Sequence, residues 1–354
     1  MKLIHCADLH LDSPMESNLP IEKARERRHE ILATFSRLVR HADENNANGI
    51  LIAGDLFDSR RTTKKTEQYV LDLIEAHPGL SFFYLAGNHD SGNAWLSREQ
   101  LPANLYTFRD RWTSYAFDDV YITGSEDPDP DTLELPEDRL NILLLHGQLK
   151  DTATREKDTL PFRKYQGKHV DYMALGHLHD YRGTVKLDER GVACYAGCLE
   201  GRGFDECGQK GYVLLEVKQN RILHTFVPFA RRTLHEVECP MTGCLSHREA
   251  EERLMAAVSA IPSGDMVKVI LTGELPPSDR PDLTALCGRL NEKFYYAKLT
   301  DDIRMEIRPE DYAHDVSLKG EFVRRVMASP LTDKEKEQII VCGIRALGGE
   351  ELDI

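Results

Sequence analysis

Residues 50–58 read ILIAGDLFD, a short apolar run closed by Gly54 and Asp55. A run of this length with a turn former behind it fits a strand buried on both faces, the aspartate standing just past its carboxyl end. The same form recurs in MKLIHCADLH (1–10), FFYLAGNHD (82–90), NILLLHG (141–147) and YMALGHLH (172–179). Between the first two runs, Ile31, Leu32, Phe35, Leu38, Val39 and Ala42 recur at helical spacing within 21–46. A second helix is expected over 62–77, with Tyr69, Val70, Leu73 and Ile74 inward. Strand–helix–strand alternation of this kind predicts an α/β fold, with helices layered over a sheet.

Further along, YRGTVKL (181–187), VACYAGC (192–198), GYVLLEV (211–217) and RILHTFVPF (221–229) read as strands with tight turns, extending the sheet system as antiparallel pairs. The texture shifts again near Arg231–Arg232. Strands are expected over 233–239, 265–273 and 294–307, with helices over 246–260 and 282–293. Two short helices follow, over 317–328 and 332–347. The domain expectation is therefore 1–231, 232–310 as a small α+β module, and 311–354 as a helical tail.

The 354 residues carry 59 acidic and 45 basic side chains, for a net charge of −14. That balance excludes a general, charge-driven nucleic-acid coat protein but leaves room for a local phosphate-binding site. No apolar run approaches the roughly 20 residues of a membrane span. The opening residues read as neither signal peptide nor anchor, and eight scattered cysteines fit free thiols, so the expected location is cytoplasmic with no membrane partner. Cys194/Cys198 and Cys239/Cys244 lack the second ligand pair a zinc site needs and read as buried thiols.

Chemistry concentrates at the ends of the apolar runs: Asp8 and His10, then Asp55, then Asn88, His89 and Asp90, then His146, then His177 and His179. Ligands of open α/β sheets bind outside the carboxyl ends of the strands, so these groups are expected at one rim of one sheet. Asp8 and His10, like His177 and His179, are two apart, which on an extended backbone turns both members of a pair to one side. One histidine at a strand end is ordinarily a hydrogen-bonded surface residue. Five coincidences are best read together as a metal centre. Its N and O donors without thiolate suit Mn, Fe or Zn. Seven ligands are too many for one tetrahedral ion but enough for two divalent metals sharing a carboxylate, the arrangement that drives in-line displacement at phosphorus.

In order and block for block, Asp8-Leu9-His10, Gly54-Asp55, Gly87-Asn88-His89-Asp90, His146-Gly147 and Gly176-His177-Leu178-His179 resemble the calcineurin-like metallophosphoesterase superfamily. The resemblance implies a layered fold of central β-sheets flanked by helices. It also implies that Asp8, His10, Asp55 and His179 hold one metal, and Asp55, Asn88, His146 and His177 the other. His89 would then be the general acid, with Asp90 either orienting it or serving as a turn cap. Within the superfamily, IHCADLHLDSP, GDLFD and LEGRGFDECGQKGY (199–212) look like the SbcD branch of nuclease subunits. That branch implies Mn-dependent 3′-to-5′ exonuclease activity with endonuclease capacity in DNA-end processing and repair. Its implied partners are DNA, an SbcC-like coiled-coil ATPase gripping the terminal helices, and a second copy of the chain. The α+β module would be a capping domain.

Three readings remain to be separated: this nuclease, a phosphodiesterase or phosphatase of small molecules or phosphoproteins on the same site, and a scaffold whose site has decayed. Arg60, Arg61 and Lys64 follow the Asp55 block closely and either hold substrate phosphates or form a solvated helix start. Asp12 and Asp58 are candidate partners for metal-bound histidines or turn residues. His5 is expected to pack within the sheet.

Overall fold

The structure is a computed structural model describing residues 1–16, 19–58, 62–90, 101–151, 158–276, 279–306 and 309–348. Two compact units divide the chain, Met1–Leu234 and His235–Ile354. The tail expected over 311–354 falls within the second of these. Among the described residues no helix is long and apolar enough to cross a membrane.

In the first unit, among the described residues, Gln148–Lys150 pairs with Thr159–Pro161 as a separate two-stranded sheet, and twelve strands form two six-stranded sheets. One has Lys2–Cys6, Gly49–Ala53, Ser81–Leu85 and Leu105–Thr107 side by side and parallel. The hairpin Gly211–Lys218/Arg221–Pro228 joins it antiparallel beside Lys2–Cys6. The other sheet has Val120–Gly124, Leu140–His146, Tyr172–Gly176 and Val192–Tyr195 in parallel, with Thr113–Phe117 and Thr184–Lys186 as antiparallel edges. The layered sheets that the resemblance implies are present, and the expectation that the site groups stand at the rim of a single sheet is corrected. The central parallel strands, Gly49–Ala53, Ser81–Leu85, Leu140–His146 and Tyr172–Gly176, are nearly continuous buried apolar runs, and such runs carry no mark of which sheet they join.

Side chains from both sheets meet in one core: Leu51, Ala53 and Phe83 with Ile142, Leu144, Tyr172 and Ala174. The opposite face of the second sheet packs Leu143, Leu145, Met173 and Leu175 on Leu160, Tyr165 and Leu187. Helix Ile21–Glu44 buries Ile31, Phe35, Leu38, Val39 and Ala42, each of the larger side chains contributing about 1.5–3 kcal/mol. Helix Lys64–Glu75 starts at Thr63, whose hydroxyl accepts from the Thr66 amide, and the Thr63 amide in turn donates to Asp12 at 2.8 Å. Asp12 thus supports a helix entrance, as the turn reading of that residue expects.

A buried ionic knot sits beside the first helix. Arg27 is fully buried and reaches Glu30 at 2.6 Å and Glu200 at 2.8 Å. Arg232 pairs with Glu30 at 2.6 Å, and the Thr34 hydroxyl donates to Glu200 at 2.8 Å. His5 is buried with its Nδ1 at 3.0 Å from the Tyr172 hydroxyl, a packing role across the two sheets, and burial depresses its pKa to about 3.

The second unit has a three-stranded sheet of Leu234–Pro240, Met266–Thr272 and Tyr296–Asp301. Helices His247–Ala257 and Leu283–Lys293 cover it through Leu254, Leu286 and Leu290 over Val267, Val269 and Leu271. Helices Leu318–Met327 and Asp333–Leu347 pack Val323 against Ile340 and Ile344.

Candidate metal centre

The carboxyl ends of strands Lys2–Cys6, Gly49–Ala53, Ser81–Leu85, Leu140–His146 and Tyr172–Gly176 meet at one place. The Asp8 amide donates to the Gly54 carbonyl at 3.1 Å and the His10 amide to the Asp55 carbonyl at 2.9 Å, so the first two loops run alongside each other. The His177 amide, from the other sheet, donates to the Asp8 carboxylate at 2.9 Å. Asp8, His10, Asp55 and His177 all have positive φ, at 52°, 45°, 51° and 100°. Asp and His are among the residues that tolerate this region, and strain there gathers at working sites. The reading of Asp8 and His10 on an extended backbone is therefore corrected. Both lie past the last strand residue, Cys6, where left-handed turns, not strand alternation, aim them.

Two glycines make room for His146 and Asp55. A Cβ on Gly54, whose φ is +87°, would stand 2.1 Å from His146 Nδ1. A Cβ on Gly87 would stand 2.2 Å from Asp55 Oδ1. The Gly-Asp and Gly-Asn motifs thus mark close approach of a side chain to backbone as well as turns.

His146 Nδ1 donates to the Ala53 carbonyl at 2.9 Å, which turns its Nε2 lone pair inward. That Nε2 lies 3.3 Å from Asp55 Oδ2 and 3.0 Å from Asn88 Oδ1. His10 Nε2 faces His179 Nε2 at 3.3 Å and Asp55 Oδ2 at 3.7 Å. The His177 ring packs edge-on to His146, with centroids 5.5 Å apart. Among the described residues, two three-residue sets have ligand atoms mutually within 4.8 Å: Asp8, His10 and His179, and Asp8, Asp55 and His146. These are acceptors facing acceptors, an arrangement that a proton or a cation must hold together. Electrostatics agree. Burial pushes the Asp8 carboxyl up to about 6 and depresses His10, with the Arg202 charge adding to the latter. Burial also opposes charge on Asp55 and His146, but their mutual contact overrides it, holding Asp55 ionised and drawing His146 upward. The donor set fits hard or borderline divalent ions, two of them if Asp55 is shared.

His89 is exposed while Asp8, His10 and Asp55 are buried, and its ring lies 5.0 Å from that of His10. Asp90 is 2% exposed and accepts from the amides of Leu56, Phe57 and Gly87 at 3.0, 2.8 and 3.1 Å. It therefore ties the Asp55 loop to the Asn88–His89 loop through the backbone, the capping alternative for this residue. Lys64 is exposed at the first turn of its helix. Arg60 and Arg61 lie outside the described residues.

Sequence reasoning missed Glu206 and Arg202. Glu206 Oε1 lies 2.7 Å from His179 Nδ1, and Arg202 grips the same carboxylate at 2.6 Å. Opposing charges hold Glu206 well below the usual carboxylate range despite its burial. The LEGRGFDECGQKGY segment that carries both was legible only as a branch resemblance.

A family model described as calcineurin-like phosphoesterase matches residues 1–181. An uncharacterized metallophosphoesterase, YhaO of Bacillus subtilis, is 28% identical over 64% of this chain and 60% of its own length. One component of the nuclease SbcCD from Staphylococcus epidermidis is 25% identical, over 67% of this chain and 71% of its own. The DNA double-strand break repair protein Mre11 of Methanopyrus kandleri is 29% identical, over 78% of this chain and 66% of its own. The chain thus spans about 60% of the length of YhaO.

Proposed function

The chain belongs to the calcineurin-like phosphoesterase family, hydrolases of phosphoester bonds at a dinuclear metal site, and from that premise we propose that it is a DNA phosphodiesterase. In this reading it is a 3′-to-5′ exonuclease with endonuclease capacity, acting with an SbcC-like coiled-coil ATPase in DNA-end processing. The observation that carries the chemistry is the inward convergence of His10, Asp55, His146 and His179 from two sheets, acceptor against acceptor. Support for the DNA substrate comes from the relatives named for SbcCD and Mre11. A substrate of small phosphodiesters or phosphoproteins is the alternative, favoured by the net charge of −14.

Asp8, His10, Asp55 and His179 would hold one cation, and Asp55, Asn88, His146 and His177 the other. Manganese is the proposed metal, with iron or zinc as alternatives. When bound, the pair supplies Lewis acidity at phosphorus and a nucleophile at neutral pH. The chain's own residues do the rest. Asp55 presents one carboxylate oxygen between His10 and His146. The Ala53 carbonyl fixes the His146 ring. Exposed His89 stands where a substrate arrives and delivers a proton to the departing oxygen, general acid catalysis of a kind worth 10²–10⁴-fold. Asp90 is a positioning residue, acting through the two loops it joins.

The test is Mn-dependent release from 3′- and 5′-end-labelled duplex DNA, with a small phosphodiester in parallel and His89→Ala as control. Release from the 3′ label that vanishes in the variant is expected. Turnover of the small ester alone, unchanged when the ATPase partner is added, would sink the DNA reading.

A further inference from the structure

His179 Nδ1 has two neighbours of opposite character. Glu206 Oε1, which can only accept, lies at 2.7 Å, and Arg202 Nη2, which can only donate, lies at 3.1 Å. Both cannot be satisfied by one nitrogen. If Nδ1 carries the proton, it donates to Glu206 and leaves the Nε2 lone pair facing His10. If Nδ1 is bare, it accepts from Arg202, the proton moves to Nε2, and His179 can no longer coordinate through that atom.

We infer that Glu206 is a positioning residue of the metal centre, which keeps the His179 proton on Nδ1 and so turns Nε2 into a metal ligand. The inference rests on the metal-centre reading above. Arg202 is the clamp that lets Glu206 win. Its amide donates to Oε2 at 2.7 Å, its Nη2 to Oε1 at 2.6 Å and its Nε to Oε1 at 3.1 Å. These bonds draw the guanidinium toward the carboxylate and away from competition for the imidazole. Glu206 is 3% exposed, so its carboxylate is held by the protein rather than by water. The Lys210 ammonium holds the other side of the same turn, donating to the His179 carbonyl at 3.0 Å. The ring's backbone and its outer nitrogen are thus both fixed before any cation arrives. A carboxylate behind a ligating imidazole orients the ring and raises its basicity, and its loss typically weakens metal affinity 10–100-fold.

The experiment uses the full chain labelled with ¹⁵N at histidine and freed of metal by chelation. His179 is assigned by the resonance lost in His179→Gln. In the wild type the His179 Nδ1 is expected to carry a proton, and Nε2–H with a bare Nδ1 overturns the inference. Mn2+ titration followed by electron paramagnetic resonance is the second readout. Glu206→Gln is expected to weaken one of two Mn2+ sites 10–100-fold, with a smaller loss for Arg202→Met. Unchanged affinity in Glu206→Gln also overturns it. Should the variants fail to fold, the wild-type spectrum decides alone. Neither readout involves a substrate, so failure on DNA would remove the proposed activity without touching this inference.

Discussion

The backbone amide of His89 donates to Asp55 Oδ1 at 2.9 Å, while Asp55 Oδ2 faces His10 at 3.7 Å and His146 at 3.3 Å. One carboxylate therefore uses one oxygen to hold the loop of the proposed proton donor and the other to meet the imidazoles. The side chain proposed to bridge the metals is thus also the one that holds the loop of the proposed acid.

That coupling separates two variants. Asp55→Ala is expected to lose both metals, whereas His89→Ala keeps them and loses 10²–10⁴-fold in turnover. The loss should shrink with a p-nitrophenyl ester, whose leaving group needs little protonation. Metal content by mass spectrometry checks the first half. An equal fall of metal in both variants would contradict these roles.

Gly87→Ala tests how tightly the loop approaches Asp55. Its Cβ would stand 2.2 Å from Asp55 Oδ1, and 2.6 Å from the Asp55 amide, so either the loop or the carboxylate must move. Overpacking of this kind costs about 1–3 kcal/mol. The expected result is a lowered Tm together with weakened Mn2+ binding. Wild-type affinity in a destabilised variant would mean that the loop yields while the carboxylate stays.

The buried knot around Arg27 predicts both a stability loss and a pH response. Arg27→Met leaves Glu200, 2% exposed, without its guanidinium, and removing one partner of a buried pair costs about 3–5 kcal/mol. Burial opposes charge on Glu30, but hydrogen bonds from Arg232 and Arg27 prevail and hold its pKa below the ordinary 4.5. A depressed carboxylate stabilises fully above its unfolded pKa, and the contribution disappears as pH falls through the folded value. Urea midpoints should therefore drop on acidification below about pH 4.5, and that component should be absent in Glu30→Gln. A slope identical to wild type in Glu30→Gln would refute the assignment.

Lys64 sets stability against binding. It occupies the first position of its helix, where the macrodipole disfavours a cation by about 0.3–1 kcal/mol. Lys64→Ala is expected to raise Tm slightly and, if the residue holds a DNA phosphate, to lower the salt slope of binding by about 1. A raised Tm with an unchanged slope would assign Lys64 to solvent alone.

The α/β class, the order of the core strands and helices, and the placement of Asp8, His10, Asp55, Asn88, His146, His177 and His179 at or just past the ends of apolar runs were legible because each rests on local information. Apolar runs end in glycine and a polar donor, and helical periodicity fills the gaps between them. The division into two sheets was not legible, since strands buried on both faces look alike whichever sheet they enter. Nor was the support behind the proposed ligands. Glu206 stands 27 residues from His179 in a stretch without periodicity, and the Ala53 carbonyl that orients His146 is a backbone atom 93 residues away.

By itself, then, the sequence determined which chemical groups the chain brings to its strand ends and that those groups offer nitrogen and oxygen donor atoms without thiolate. Only the tertiary structure decided that they come from two facing sheets, that left-handed turns rather than strand alternation aim Asp8, His10, Asp55 and His177, and which nitrogen of His10, His146 and His179 points inward. The physical reason is range. Residue type and spacing encode local conformation, whereas the tautomer-setting hydrogen bonds at His146 and His179 arise where segments distant in the chain are packed together.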